Sequence, residues 1–326
     1  MRQAILALLK KHQGSYLSGE EISKILGISR TAVWKHMNKL REEGYDIDSI
    51  TKMGYKLNRI PDTLLPEEIS TYLKTKVLGR DIYYFQEIDS TNYYGKALGE
   101  KGVSEGALVL AETQQKGRGR LGRSWNSPPK KGLWFSILLR PQISPQEISL
   151  LTLLAATAIV QVLKRKYQLK AGIKWPNDLL LDGRKFAGIL TEMKAETDQV
   201  NYLVLGIGIN VNQGAEDFPE ELVNIATSLS LEKGSPLHRA KLLAAILEEL
   251  ENMYFRFLQE GFNFTLELWK KYNITLGQHV VITNWQSTFK GYAEDIDSKG
   301  GLIVVLADGT RKTVYSGDVS SAGSKP

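Results

Sequence analysis

The segment Gln114–Trp125, QQKGRGRLGRSW, decides which kind of fold the centre of the chain can have. Its three glycines match the dinucleotide-binding pattern G-x-G-x-x-G. In that motif a helix begins at the third glycine, and an acidic residue follows about 20 residues later. Here Ser127-Pro128-Pro129 is incompatible with such a helix, and the apolar stretch 133–140 contains no acid. The sequence therefore predicts that this is not a Rossmann-type dinucleotide loop.

The same segment has the composition of an anion-binding loop. Glycines expose backbone N–H groups and let a ligand approach the chain closely. Arg118, Arg120 and Arg123 add forked donors that suit carboxylate and phosphate groups, and Trp125 adds a flat face for a ring. A solvated basic surface loop is the alternative interpretation, but the position between two apolar strands favours a binding site.

The residues around this loop predict an α/β domain. Apolar runs typical of buried strands lie on both sides of it, and Asp182-Gly183 separates two of them at hairpin spacing. A long apolar segment at 148–166 predicts a core helix. These spacings favour a substantially antiparallel sheet. The predicted strands lie at 107–112, 133–140, 172–175, 178–181, 186–193 and 202–211.

Three further segments of this domain carry candidate binding residues, each with a structural alternative. Lys174 lies in an apolar run and needs an anionic partner, either a ligand phosphate or an aspartate of the protein. The glycines of 206–210 (GIGIN) indicate close approach of a ligand or of another backbone, or else tight sheet packing. The cluster at 89–92 (DSTN) either caps a helix or hydrogen-bonds a polar ligand group.

Residues 1–60 hold most of the basic excess of the chain. The net charge of the whole chain is +6, and this segment contains 11 Lys/Arg against 6 Asp/Glu, a difference of +5. Such an excess is typical of a polyanion-binding domain. Ser18 and Ser29 have the sequence context of helix caps, and apolar stripes that include Ile25 predict short helices. The spacing predicts a helix-turn-helix at about 19–38.

An alternating segment at 45–57 predicts a β-hairpin after these helices, which completes a winged helix-turn-helix. The exposed face of its third helix offers arginine and asparagine for base edges, and serine, threonine and lysine for phosphates. A helical domain for protein contacts is the alternative, but helix spacing, wing and charge together favour DNA. The predicted DNA-binding residues are Ser29, Arg30, Thr31, Trp34, Lys35 and Asn38.

The motifs of the central domain together resemble those of one family, the biotin–protein ligases. They are DSTN at 89–92, GRGRLGR at 117–123, KWPNDLLL at 174–181 with AGIL at 187–190, and GIGINVN at 206–212. With a winged helix-turn-helix before them, they are similar to the bifunctional bacterial type, which is both a biotin ligase and a biotin operon repressor. The resemblance spans nearly the whole chain.

The resemblance implies a fold and a reaction. The fold class is a multidomain α+β protein: an N-terminal winged helix-turn-helix, a central mixed α/β ligase domain that is class II synthetase-like, and a C-terminal SH3-like β-barrel. The reaction forms biotinoyl-5′-AMP from biotin and ATP with Mg²⁺. Biotin is then transferred to a lysine of the biotin carboxyl carrier protein of acetyl-CoA carboxylase, or of other biotin enzymes. The adenylate is also the implied corepressor of biotin synthesis and transport genes, acting through a homodimer on operator DNA.

The same resemblance assigns roles to individual residues. Lys174, Arg118 and Arg120 are the implied catalytic residues, and Asp178 is a candidate for placing Mg²⁺. The implied biotin-binding residues are Ser90, Thr91, Asn92, Gln114, Arg118, Gly119, Arg120, Lys174 and Gly188. The implied ATP- and adenylate-binding residues are Arg120, Arg123, Trp125, Lys174 and Asn210.

The expected domain bounds are 1–60 for the winged helix, 61–66 for a linker, 67–273 for the catalytic domain and 274–322 for the SH3-like domain. The chain has no cysteine, which excludes a disulfide scaffold and a cysteine nucleophile. Its start has no signal-cleavage pattern, so we expect a cytoplasmic protein without membrane association.

Two other functions stay open from the sequence. One is a non-enzymatic repressor with a degenerate ligand domain, against which the intact lysine and arginine set argues. The other is a ligase for lipoate or an octanoyl group. The polar cluster at 89–92 suits a urea head group better than an aliphatic tail, which weakens that alternative.

Overall fold

The computed structural model describes residues 1–196, 199–284 and 287–321, and the chain divides into two compact units between Thr63 and Leu64. In the N-terminal unit, Ser18 begins a helix by accepting from the backbone N–H of Glu21 at 3.0 Å, and Gly27 ends that helix in the left-handed region. The predicted helix-turn-helix is present. Its elements are α1 (Arg2–Lys11), α2 (Gly19–Leu26), α3 (Arg30–Glu42), β1 (Asp46–Ile50) and β2 (Gly54–Arg59).

The apolar stripes of these helices form the core of the N-terminal unit. Ile5, Ile22 and Met37 have no exposed surface. Ile25, which was expected in the buried stripe of α2, is instead 55% exposed. Leu26, one helical turn after Ile22, packs against the core in its place. The eight-residue α2 buries only one narrow face, and Ile25 lies beside that face.

A mixed sheet organises the second unit, and in the described residues it has seven strands in the order β3-β4-β5-β9-β8-β7-β6. Only β3 and β4 pair in parallel, which confirms the prediction of a substantially antiparallel sheet. β5 is buried at every position, and its sequence is accordingly apolar except for Ser136. The strands are β3 (Ile82–Ile88), β4 (Leu108–Gln114), β5 (Gly132–Leu139), β6 (Gly172–Lys174), β7 (Asp178–Leu181), β8 (Arg184–Ala195) and β9 (Val200–Asn210).

Helices pack against this sheet. The predicted core helix is α6, and after Val162 it widens into a π-type turn over Leu163–Tyr167. The segment Pro145–Tyr167 is long and apolar enough to cross a bilayer, but 72% of its apolar 18-residue window is buried inside the protein, as the core helix of an α/β unit would be. The helices are α4 (Pro66–Tyr72), α5 (Thr91–Glu100), α6 (Ile148–Val162), α7 (Leu229–Lys233), α8 (Arg239–Glu260) and α9 (Asn263–Tyr272).

The last strands of the described chain, within residues 279–321, form an antiparallel sheet in the region where the resemblance implies an SH3-like β-barrel. Its order is β13-β12-β11-β10-β14. In the part of the chain that the structure describes, β13 and β14 are the two ends of this sheet, so closure into an SH3-like barrel stays a prediction. The strands are β10 (His279–Thr283), β11 (Thr288–Ile296), β12 (Leu302–Val305), β13 (Arg311–Val314) and β14 (Asp318–Ser321).

Candidate functional site

Most of the predicted binding residues of the second unit line one cavity of about 120 Å³. It lies where the starts of α5 and β14, the end of β4, and the strands β7, β8 and β9 meet the segment 117–125, which we call the arginine loop. The predicted residues that line it are Ser90, Thr91, Asn92, Gln114, Arg118, Gly119, Arg120, Arg123, Trp125, Asp178 and Gly188.

The cluster at 89–92 both caps a helix and lines the cavity, so its two interpretations are compatible. The Ser90 hydroxyl accepts from the backbone N–H of Tyr93 at 3.5 Å, which begins α5. That cap holds the next two side chains, Thr91 and Asn92, in the cavity wall, where both are buried.

Amide and hydroxyl groups at this wall form a connected network, which we call the amide end. Gln114 Oε1 accepts from the backbone N–H of Thr91 at 2.9 Å and lies 3.1 Å from its hydroxyl. The buried Ser136 Oγ lies 2.6 Å from Asn92 Oδ1 and 2.8 Å from Thr91 Oγ1. Such a network fixes which groups donate and which accept. Sequence reasoning missed Ser136, although it is the single polar residue of β5.

The glycines of β8 and β9 make room for two of the cavity side chains. A Cβ at Gly206 would lie 1.9 Å from Asn92 Oδ1, and one at Gly208 would lie 2.6 Å from the Trp125 ring. A Cβ at Gly188 would lie 3.1 Å from the same ring. The close approach predicted for these glycines is therefore made by protein side chains.

The arginine loop folds back on itself without starting an α-helix. The Gly119 N–H donates to the Arg123 carbonyl at 2.8 Å, and the Trp125 N–H donates to the Gly117 carbonyl at 2.9 Å. A single 3₁₀ turn, Arg120–Gly122, lies between Gly119 and Arg123. The loop then leads into β5, as expected for a segment that is not a Rossmann turn.

Two arginines of this loop contact the protein on the far side of the cavity. Arg120 donates to Asn177 Oδ1 at 2.8 Å and to the Gly317 carbonyl at 3.3 Å. Arg123 forms an ion pair with Asp318 at the start of β14. Burial lowers the pKa of Arg120, and the carboxylates of Asp318 and Asp178 oppose that shift. The loop end of the cavity therefore carries guanidinium groups that a bound anion would meet.

A lysine that was not predicted also lies in the cavity. Lys185 Nζ forms an ion pair with Asp178 at 2.6 Å and lies 5.4 Å from the centre of the Trp125 ring. A β-bulge brings it there: Leu179 pairs with Ala187, but Leu180 pairs with Lys185. The extra residue of the bulge lets Lys185 share the cavity with Gly188, which simple alternation would place on the opposite face.

Two predicted residues do not line the cavity. Lys174 lies half-buried on β6, where its backbone pairs with that of Asp178. The Asp178 carboxylate forms its ion pair with Lys185 instead of Lys174. The Asn210 amide is used inside the protein, since its Nδ2 donates to the Thr227 carbonyl at 3.1 Å and its Oδ1 accepts from Gln213 at 2.9 Å. Neither side chain therefore lines the cavity with the other predicted site residues.

The predicted DNA face lies on α3 of the N-terminal unit. Ser29 accepts from the backbone N–H of Ala32 at 3.2 Å and so begins the helix. The Trp34 side chain is 54% exposed. Asn38 Oδ1 accepts from Arg41 at 3.2 Å, which leaves its amide N–H groups as the outward donors. Arg30, Thr31 and Lys35 are exposed on the same helix.

Comparison with known proteins identifies the family. Three family models match in order: a helix-turn-helix domain at 2–56, the biotin/lipoate A/B protein ligase family at 83–210, and the biotin protein ligase C-terminal domain at 275–321. The chain is 41% identical to the bifunctional ligase/repressor BirA of Bacillus subtilis, covering 98% of both chains. It is 33% identical to BirA of Escherichia coli, covering 97% of this chain and 95% of that one. The chain belongs to the BirA family of bifunctional ligase/repressors.

A solved structure of this kind supports the same assignment for the second unit. The biotin protein ligase of Aquifex aeolicus, in complex with biotin and ATP, superposes with a TM-score of 0.64 at 30% identity. The match covers 74% of this chain and 98% of that chain. The central fold is therefore the ligase fold of the family, as the motifs predicted.

Proposed function

We propose that this BirA-family protein makes biotinoyl-5′-AMP from biotin and ATP and transfers biotin to a lysine of a biotin carboxyl carrier protein. One observation carries the proposal: a single cavity joins an end of fixed amides and hydroxyls to an end of arginines and a lysine. The first end suits a urea, and the second suits a carboxylate beside a phosphate. BirA of Bacillus subtilis, which is named a bifunctional ligase/repressor, matches this chain over 98% of both lengths.

The reaction needs no nucleophile from the enzyme. In the first step a biotin carboxylate oxygen attacks the α-phosphorus of ATP, and pyrophosphate leaves. In the second step the carrier lysine amine attacks the acyl carbon, loses a proton, and AMP leaves. Both steps gain most from charge neutralisation, alignment and exclusion of water. The residues present supply these: guanidinium groups, a lysine and backbone N–H groups, in a partly closed cavity.

We assign the central cationic role to Lys185 in place of Lys174, because Lys185 lies in the cavity and Lys174 does not. Arg118 and Arg120 would hold the biotin carboxylate and the α-phosphate, with Gly119 allowing close approach. Thr91, Asn92 and Gln114, with Ser90 at the same wall, would meet the urea. Arg123 and Trp125 would contact the nucleotide. No ligand role is proposed for Asn210, because it does not line the cavity and its amide is bonded within the protein.

Mg²⁺ would take most of its ligands from the substrate. In residues 1–196, 199–284 and 287–321, no group of three or more His, Cys, Asp or Glu side chains could hold a metal. Mg²⁺ commonly binds through one or two carboxylates together with phosphate oxygens and waters. Asp178 fits that pattern, since its carboxylate lies in the cavity wall beside Lys185. There the ion would neutralise phosphate charge.

We further propose that the winged helix-turn-helix makes the protein an adenylate-dependent repressor. The net charge of +5 on residues 1–60 and the exposed polar face of α3 support DNA binding. Two such units in a homodimer would match a palindromic operator. We also propose the domain bounds 1–60 for the winged helix, 61–66 for the linker, 67–273 for the catalytic domain and 274–322 for the SH3-like domain. The proposed location is cytoplasmic, without a membrane partner.

Transfer of label to a carrier domain tests the ligase function. Purified protein, ATP, Mg²⁺ and biotin are mixed with a biotin carrier domain, and the intact mass of the carrier is measured. We expect one biotin per carrier, and none on a carrier whose acceptor lysine is changed to arginine. An unmodified carrier with its lysine intact would favour the non-enzymatic repressor. Labelling by octanoate or lipoate in preference to biotin would favour the other ligase class.

A further inference from the structure

Glu192 on β8 carries a carboxylate that lies behind the amide end. This carboxylate has no role in the proposed reaction. Its Oε2 accepts from Asn92 Nδ2 at 2.9 Å, and its Oε1 pairs with Lys96 Nζ at 2.7 Å. Its side chain is 27% exposed, and it is not among the described residues that line the cavity. Glu192 therefore contacts the wall of the site from outside it.

The contacts of Asn92 allow its amide one orientation. Besides Glu192, its Nδ2 faces the carbonyl oxygen of Leu190 at 3.2 Å. A carboxylate and a carbonyl only accept hydrogen bonds, so the NH₂ group has to face both of them. Asn92 Oδ1 is thereby turned towards the Ser136 hydroxyl, 2.6 Å away.

This orientation sets the polarity of the whole amide end. Ser136 has one hydroxyl hydrogen, and the shorter of its two contacts directs it to Asn92. The Thr91 hydroxyl also has one hydrogen, and both of its neighbours, Gln114 Oε1 at 3.1 Å and Ser136 Oγ at 2.8 Å, can accept it. Towards the cavity Thr91 therefore presents a lone pair. This part of the wall accepts a hydrogen bond, which an N–H group of a urea can donate and an alkyl chain cannot.

Glu192 is held in its ionised form, which can accept the hydrogen bond from Asn92. Burial disfavours its ionisation, but hydrogen bonds from Lys96 and Asn92 outweigh burial and lower the pKa of Glu192. It therefore remains a carboxylate, able only to accept, at neutral pH.

We propose that Glu192 is a specificity-determining positioning residue: by fixing the Asn92 amide, it gives the site its preference for a urea head group over an aliphatic acid. The inference rests on the proposed function, because the urea is that of biotin. Removing Glu192 leaves a buried amide N–H without its partner, and only the longer contact with the Leu190 carbonyl then orients the Asn92 NH₂ group. Loss of one such hydrogen bond costs roughly 10- to 100-fold in affinity.

The test compares Glu192→Leu and Glu192→Gln with the unaltered protein. Biotin-dependent pyrophosphate release gives kcat/KM for biotin and KM for ATP, and octanoate added as a competitor gives its inhibition constant. For Glu192→Leu we expect kcat/KM for biotin to fall roughly 10- to 100-fold, with ATP KM and the octanoate constant almost unchanged. Glu192→Gln should restore most of the activity, because its amide oxygen can accept from Asn92 in the same place.

A matched control separates positioning from a general loss of structure. Glu100 is a second carboxylate that forms an ion pair with strand β8, through Lys194 at 2.7 Å. Unlike Glu192, it does not contact Asn92. Glu100→Gln should leave the biotin and octanoate constants as they are. Glu192→Ala, a smaller change, replaces Glu192→Leu if thermal unfolding shows that the leucine variant does not fold.

The outcomes distinguish the two proposals. Equal losses for biotin, octanoate and ATP would mean that Glu192 only supports the fold, and an unchanged biotin-to-octanoate ratio would likewise overturn the inference. Pyrophosphate release by the unaltered protein that does not depend on biotin would overturn the proposed function itself.

Discussion

Lys185 and Lys174 differ in what their side chains can reach, and this gives the sharpest prediction for a single residue. Lys185 Nζ lies in the cavity beside Asp178 and Trp125. Removing a charge that acts on the developing transition state costs roughly 100- to 1,000-fold in rate. Lys185→Ala should therefore slow single-turnover formation of biotinoyl-5′-AMP by that factor, while Lys174→Ala should retain most of the activity. The reverse order of the two losses would return the role to Lys174.

Arg118 on the arginine loop is exposed and is the residue of the loop best placed to retain the adenylate. Arg118→Gly removes a guanidinium without removing a buried contact. We expect biotinoyl-5′-AMP to leave the variant faster, measured as dissociation of labelled adenylate, with a midpoint of thermal unfolding close to that of the unaltered protein. A lowered midpoint with unchanged release would contradict this role.

At the scale of elements, β9 determines where the Trp125 ring can lie. A methyl group at Gly208 would meet the ring at 2.6 Å, closer than real contacts allow, so the ring has to shift from its place in the cavity wall. Gly208→Ala should therefore weaken both biotin and ATP binding, measured by calorimetry. Ile209→Val on the same strand, buried but pointing away from the cavity, should cost stability of about 1 kcal/mol and leave both affinities unchanged. Normal binding by Gly208→Ala would mean that the ring has room elsewhere.

The same elements show how far the sequence could predict the site. Apolar runs and turn spacing predicted the strands β4 to β9 but not β3, and the cluster at 89–92 had a helix cap as one of its two interpretations. These predictions were possible because they depend on local residues. Lys185 was missed because a bulge, visible only once β7 and β8 pair, moves it to the cavity face. The resemblance implies a nucleotide role for Asn210, and the sequence gives no sign that Thr227 and Gln213, which follow it in the chain, take its hydrogen bonds.

At the scale of the whole molecule, we expect binding of biotin and ATP to control self-association of the protein. If biotinoyl-5′-AMP orders the arginine loop and promotes a homodimer, sedimentation velocity should show dimers with biotin and ATP together and monomers with either alone. Arg118→Gly, which loses the adenylate, should require more biotin for the same dimer fraction. A dimer fraction that does not depend on ligand would contradict the switch.

DNA binding by the N-terminal unit gives a second prediction at this scale. The probe is duplex DNA selected from a random pool by the full chain with biotin and ATP. Lys35→Ala should weaken binding and reduce the slope of log affinity against log salt by about 1 per protomer, as loss of one phosphate contact does. Asn38→Ala should leave that slope unchanged and relax base preference at one position, by about 1–3 kcal/mol. The opposite pattern would exchange their roles.

The central claim is that biotin and ATP react in the cavity between the amide end and the arginine loop. Exchange of labelled pyrophosphate into ATP measures that step alone, without carrier protein or DNA. We expect exchange that requires biotin, is not supported by octanoate, falls roughly 100- to 1,000-fold in Lys185→Ala and persists in Lys174→Ala. Exchange that proceeds without biotin, or that keeps its full rate in Lys185→Ala, would contradict this reaction at this site.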